Sequence, residues 1–265
     1  MDRRRLLTLL AAGTAATLLG GGEAHGDPSP LDSGSGAAGL VPLGLVPGNA
    51  IPPLAPRTAI GPGTISALSG AGNNIALTID DGASAETVGA FIEFARRTGV
   101  RLTFFVTAYY PSWSIHRDAL RPLVDSGQIQ LGNHTWDHPD LTKLSAGAVA
   151  DQLERTKTFL RNNFGTDGAP YYRPPFGYHN AAVDRVAADS GYVVPTMWYG
   201  NLNDTLTVIN EDMLLTAARQ WFRAQSIVIG HANRPTVTHI FDQLNDIIRE
   251  RNLATVTLND VLVLT

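Results

Sequence analysis

Ile75-Ala76-Leu77-Thr78-Ile79-Asp80-Asp81-Gly82 is the stretch on which the fold turns. Ile75 to Ile79 is a short apolar run with β-branched side chains, too brief for a helix, and it predicts a buried strand. It stops at two carboxylates and a glycine, so the chain leaves the strand with polar groups at its end. Glu86 to Arg97 then carries apolar residues at helical spacing, and Leu102 to Val106 reads as strand again. The alternation continues outward. Helices are expected over Leu120 to Asp125, Ala146 to Asn162, Asn180 to Asp189, Glu211 to Arg223 and Val237 to Arg251. Strands are expected near Ile129 to Leu131, Tyr192 to Thr196, Ile227 to Ile229 and Ala254 to Val256. Strands alternating with helices predict a parallel sheet flanked by helices, and about seven such units predict closure into a (β/α) barrel. An open doubly wound sheet is the alternative.

Working toward the N-terminus, the pattern dissolves. Residues 27–72 are dense in Pro, Gly, Ser and Ala, with Pro28, Pro30, Pro42, Pro47, Pro52, Pro53, Pro56 and Pro62 in no period, and read as a linker. Residues 1–26 open with Arg3-Arg4-Arg5, continue through an apolar stretch from Leu6 to Leu19 and end in small residues. That layout is a signal peptide, of twin-arginine type by its paired arginines. It implies export to an extracellular or cell-wall address. The apolar run is short and glycine-rich for a membrane span, and no later segment is long and apolar enough for one. The folded domain is expected over residues 73–265.

The 265 residues are 44% hydrophobic and 17% charged, which suffices for one core. Net charge is −4 and basic residues cluster only at the extreme N-terminus, so nothing favours a nucleic-acid partner. There is no cysteine, which removes disulfides, thiolate ligands and cysteine nucleophiles. Any bound metal must sit on nitrogen and oxygen.

Polar clusters fall at predicted strand ends: Asp80-Asp81-Gly82, Asn133-His134, Arg173-Pro174-Pro175 and Gly230-His231. In a parallel barrel those ends share one rim, which brings distant residues together. His134 and His138 are four apart, a spacing that on a helix puts both imidazoles on one face. With Asp81 they make a three-ligand set that leaves a position open, as catalytic ions require. Zinc suits such donors best, and cobalt, manganese or nickel are also admitted.

In this order, Thr78-Ile79-Asp80-Asp81-Gly82, His134-Thr135-Trp136-Asp137-His138, Arg173-Pro174-Pro175-Phe176-Gly177 and Ile229-Gly230-His231 resemble the polysaccharide deacetylases with a NodB homology domain, carbohydrate esterase family 4. The resemblance implies a distorted (β/α) barrel and metal-dependent hydrolysis of acetyl groups from N-acetylated sugars. By matching position, Asp80 corresponds to the general base, Asp81, His134 and His138 to the metal ligands, Arg173 to the arginine beside the base, and His231 to the general acid. Phe176 stands where the family commonly has a tyrosine whose N–H stabilises the oxyanion. Tyr178 and Trp198 are further candidates for the substrate side.

The pattern departs at Asn201-Leu202-Asn203-Asp204-Thr205, where the family usually carries two aspartates and a tryptophan. Asp204 is retained and is the candidate partner of His231, with Asp212 as the alternative. The missing tryptophan leaves the acetyl wall open to Trp198 or Trp136. Gly230 replaces a larger residue and is expected to widen the acetyl pocket. Tyr109, Tyr110 and Trp113 are candidates for stacking on sugar rings. The expected partner is an acetylated polysaccharide of peptidoglycan or chitin type, taken by a monomer. O-deacetylation of acetylxylan and a catalytically silent carbohydrate-binding relative are the competing readings.

Overall fold

The computed structural model describes residues 56–206 and 208–265. The expected signal segment and residues 27–55 of the expected linker lie outside the described residues. Seven parallel strands form the main sheet: β2 (Asn74–Asp81), β3 (Leu102–Val106), β4 (Ile129–Asn133), β5 (Tyr171–Tyr172), β6 (Val194–Pro195), β7 (Gly200–Asn201) and β8 (Ile227–His231). Their order is β6-β5-β4-β3-β2-β8-β7, and β9 (Ala254–Thr255) pairs with the start of β2. A two-stranded parallel sheet joins β1 (Thr58–Ile60) to β10 (Leu262–Leu264). The main sheet curls into an incomplete barrel, the distorted (β/α) form expected from the sequence. The helices are α1 (Ala85–Thr98), α2 (Ser112–Ile115), α3 (Arg117–Asp125), α4 (Ala146–Phe164), α5 (Ala181–Asp189), α6 (Glu211–Trp221), α7 (Phe241–Glu250) and α8 (Leu258–Val261).

Strand alternation separates two of the three core clusters among the described residues. Ile75, Leu77 and Ile79 of β2, with Leu102, Phe104 and Val106 of β3, pack against Val88 and Phe91 of α1 and Leu244 and Ile248 of α7. Ala76, Phe105, Tyr171, Val194 and Ile227 point the other way into a second cluster inside the curl. Capping residues time the helices: Ser84 and Ser145 accept the N–H groups of Thr87 and Ala148, and Gly99 and Gly165 end α1 and α4 in the left-handed conformation.

The domain begins before Asn73, which corrects the expected boundary. The Ile65 N–H donates to Pro195 O at 3.0 Å and Ile65 O accepts from Met197 at 2.7 Å, while the Leu68 N–H reaches Gln225 O at 2.9 Å. The segment thus ties edge strand β6 to the turn entering β8. Ile60, Ile65 and the buried Leu68 also pack into the inner cluster. These bonds are made by backbone, and the apolar residues are isolated among prolines and glycines, so composition alone reads as linker.

The candidate metal centre and active site

Register explains how the polar clusters meet. Asp80 is the register partner of His231 on β8 and of Phe105 on β3. Asp81 pairs with Val106, Val106 with Asn133 and Asn133 with Tyr172, so His134 and Arg173 each leave the sheet at the same level.

Asp81, His134 and His138 each offer a ligand atom within 4.8 Å of the others. Asp81 Oδ1 lies 3.4 Å from both His134 Nε2 and His138 Nε2. His134 Nδ1 is 2.7 Å from the Arg173 carbonyl, which can only accept, so Nδ1 carries a proton and Nε2 faces the cluster. Burial works to raise the Asp81 pKa, but the hydrogen bond from His134 and the charges of the histidines hold it well below the usual carboxylate range. At His134, burial opposes charge, yet Asp80 and Asp81 raise its pKa. Burial and the neighbouring His134 charge push His138 down to about 4. One carboxylate oxygen and two imidazole nitrogens converge on one point, and a cation fits this donor set.

The histidines do not share a helix face. Residues 134–138 form a loop with positive φ at Thr135 (71°) and His138 (64°), and it is this reversal that turns His138 back toward Asp81. Thr135 donates its N–H to Asn133 Oδ1 at 2.9 Å, and Thr135 Oγ1 accepts from the His138 N–H at 3.2 Å. Gln152 of α4 accepts the N–H groups of Trp136 and Asp137 at 2.9 and 3.1 Å and donates to Asp137 Oδ1 at 2.8 Å. Nothing in the sequence marks Gln152, a buried polar residue on a helix face, as the anchor of this loop.

Asp80 sits on the inner face beside the cluster. Its Oδ1 accepts from Arg173 at 2.7 Å, and its Oδ2 is 3.6 Å from His134 Nε2. Arg173 is fully buried, donates also to Thr78 Oγ1, Thr196 O and Met197 O, and lies over the Phe105 ring at 4.2 Å. Four hydrogen bonds thus engage all three guanidinium nitrogens, as a buried guanidinium requires.

His231 Nδ1 bonds Asp204 Oδ1 at 2.7 Å, and the His231 N–H bonds Asp204 Oδ2 at 2.6 Å. Asp212 lies instead in the first turn of α6. Gly230 does not face the acetyl side: a Cβ there would lie 3.0 Å from Leu202 Cδ1, 3.3 Å from Ile79 Cδ1 and 3.4 Å from Asp204 Oδ2. The glycine makes room for the Leu202 and Ile79 side chains, which corrects the expectation that it widens a pocket. Burial alone would lower the His231 pKa, but Asp204, with Asp80 and Asp81, raises it to about 9. The cationic ring therefore stabilises the fold fully below its ordinary 6.5, and that contribution is lost as pH rises through about 9. An NMR titration of the metal-free protein should place the His231 midpoint near 9, and Asp204→Asn should lower it by roughly one unit or more. An unchanged midpoint would mean that Asp204 does not set the charge.

The aromatic candidates separate. Trp113 is buried and donates from Nε1 to Asp81 O at 3.0 Å, so it is a floor beneath the cluster and not a stacking surface for sugar. Gly82, at φ 105°, is required there because a Cβ would come within 2.5 Å of the Trp113 ring. Trp136 turns outward, with the Arg155 guanidinium 4.2 Å over its ring, and lines a cleft of about 440 Å³ with Phe159 and Asn162 of α4. Trp198 is half-buried, lies 5.6 Å from the Arg173 guanidinium and abuts Gly177, leaving it as the tryptophan on the site side. Phe176 (58% exposed) and Tyr178 (56%) stand on the rim, with the Phe176 ring 4.6 Å from His138 and 5.8 Å from Tyr178. Tyr109 is exposed as well.

This geometry coincides with what the comparisons return. Residues 69–195 match the sequence profile described as polysaccharide deacetylase. A chitin deacetylase of Pestalotiopsis sp is 30% identical over 159 residues, 57% of this chain and 52% of that protein. A peptidoglycan-N-acetylglucosamine deacetylase of Listeria monocytogenes is 36% identical over 111 residues, 41% of this chain and 22% of that protein. The chain spans about half or less of the length of these curated relatives. A solved carbohydrate esterase family 4 pseudoenzyme of Bacillus anthracis shares the fold, with a TM-score of 0.66 at 21% identity over 77% of this chain and 72% of that one. By this profile, residues 69–195 of the chain belong to the polysaccharide deacetylase family.

Proposed function

We propose that the domain is a metal-dependent hydrolase that removes acetyl groups from N-acetylated sugars of a polysaccharide of peptidoglycan or chitin type, outside the cytoplasm. One observation carries this reading: Asp80, next to the three-donor cluster, is also the register partner of His231, so a proton acceptor and a cationic donor flank one point. The activities named for the chitin and peptidoglycan deacetylases support the substrate class. The arginines and apolar stretch at the N-terminus support export.

A divalent ion, most suitably zinc, would be held by Asp81, His134 and His138, and would polarise the acetyl carbonyl and acidify water. Asp80 takes the proton of the attacking water through Oδ2, because Oδ1 is engaged by Arg173. Pro174 and Pro175 have no N–H, so the Phe176 N–H is the first donor of its loop to meet the oxyanion as the carbonyl becomes tetrahedral. His231, oriented by Asp204 through Nδ1, gives the Nε2 proton to the departing amine, and acetate is the other product. Trp198 and Tyr178 border the acetyl and sugar.

The test is acetate release by the purified protein, loaded with a defined ion, from peptidoglycan, chitin oligomers and acetylated xylan. Release from the N-acetylated polymers, abolished by a chelator, is the expected result. Metal-loaded protein that releases nothing from any of the three would instead be a carbohydrate-binding relative without turnover.

A further inference from the structure

Asp81 has two carboxylate oxygens, and the cluster uses one. Oδ1 faces His134 and His138, whereas Oδ2 accepts a 2.6 Å hydrogen bond from Asn233 Nδ2. The orientation of the Asn233 amide is fixed from its other end, because its Oδ1 accepts the Ala83 N–H at 3.0 Å. Asn233 lies two residues beyond His231, on a loop joined to the β2 exit by the Ala232 N–H on Asp80 O and the Ser84 N–H on Ala232 O, both at 3.0 Å. Nothing in the motif pattern points to it.

We infer that Asn233 is a positioning residue that holds Asp81 Oδ2 away from the bound ion, so that Asp81 ligates through Oδ1 alone and a coordination position stays open for substrate. The inference rests on the proposed metal site. A carboxylate released from such a bond rotates about its last torsion and presents both oxygens to the cation, which raises the coordination number and fills the open position. The amide does this without adding charge to the cluster. Partners of this kind are worth roughly 10–100-fold in metal affinity.

The test is a cobalt(II) titration of the metal-free full chain against a competing chelator, with the visible d–d spectrum recorded for the wild type and Asn233→Ala. The wild type should bind one ion. Asn233→Ala should bind roughly 10–100-fold more weakly, with a less intense band as Asp81 becomes bidentate. Should that variant fail to fold, Asn233→Ser retains an acceptor near Ala83 and serves the same comparison. Wild-type affinity and spectrum in the variant would overturn the inference, and so would weaker binding with an unchanged band, which would mean that Asn233 only anchors its loop. A wild type that binds no cobalt, zinc, manganese or nickel would instead overturn the proposed metal site, and the two failures are therefore distinct.

Discussion

Asp80→Asn is expected to lower acetate release by about 10²–10⁴-fold, the usual contribution of a positioned base, while the protein keeps its metal. The substitution is well posed because asparagine is isosteric: its oxygen still accepts from Arg173, now at 2.7 Å from Asp80 Oδ1, and no cavity opens beneath the rim. What disappears is the capacity to receive a proton. His134→Ala removes one of the three donors around Asp81 and should take metal content from near one ion per chain to near none, with activity lost as a consequence. Metal analysis alongside turnover separates the two variants. Full turnover in Asp80→Asn would move the base to another residue.

The second large effect concerns stability. Arg173→Met fits hydrophobic bulk between Phe105 and Trp198, yet it leaves the Asp80 carboxylate buried without its counter-charge and deprives the Thr196 and Met197 carbonyls of a donor. Breaking one side of a buried pair costs about 3–5 kcal/mol, which in a domain of this size lowers the melting temperature by roughly 10 °C. The double variant with Asp80→Asn should recover part of that loss, since the orphaned charge is then gone. A thermal melt of the metal-free proteins measures both effects. An undisturbed melting temperature in the single variant would show that the pair does not hold the rim together.

Much of this arrangement is legible in the chain, and the reason is local. Ile75 to Ile79 and Leu102 to Val106 are apolar because both faces of their strands are covered, and the observed β2 and β3 contain them. The helix over Ala146 to Asn162 is visible from its period and runs on to Phe164, where Gly165 stops it. The two-residue strands β5 and β7 carry too little pattern to be read, and they exist because neighbouring strands supply their hydrogen bonds. Asp204 is found through its position in a damaged motif.

The supporting residues are a different matter. Gln152, Asn233 and Thr78 act through a few side-chain hydrogen bonds to residues outside their own elements, and such bonds leave no period and no spacing. Trp113 misleads for the opposite reason. A tryptophan in an aromatic cluster on a rim loop reads as a sugar platform, whereas here the ring fills the space that Gly82 vacates. His134 and His138 keep the spacing expected of a helix although their loop is irregular, so the right grouping arises from a different backbone.

The strap from Thr58 to Leu68 has a further consequence for how the domain is made. Its partners are Pro195 and Met197, then Gln225, then Leu262, so among the described residues the stretch that leaves the ribosome first is among the last to find its bonds. Closing such long loops is entropically costly and slow, and a chain built from its N-terminus cannot begin until nearly all of it has emerged. Until then the edge of β6 stands open to any strand that arrives first, including the same strap from another copy. Yield and aggregation during synthesis should therefore be more sensitive to these eleven residues than their composition suggests.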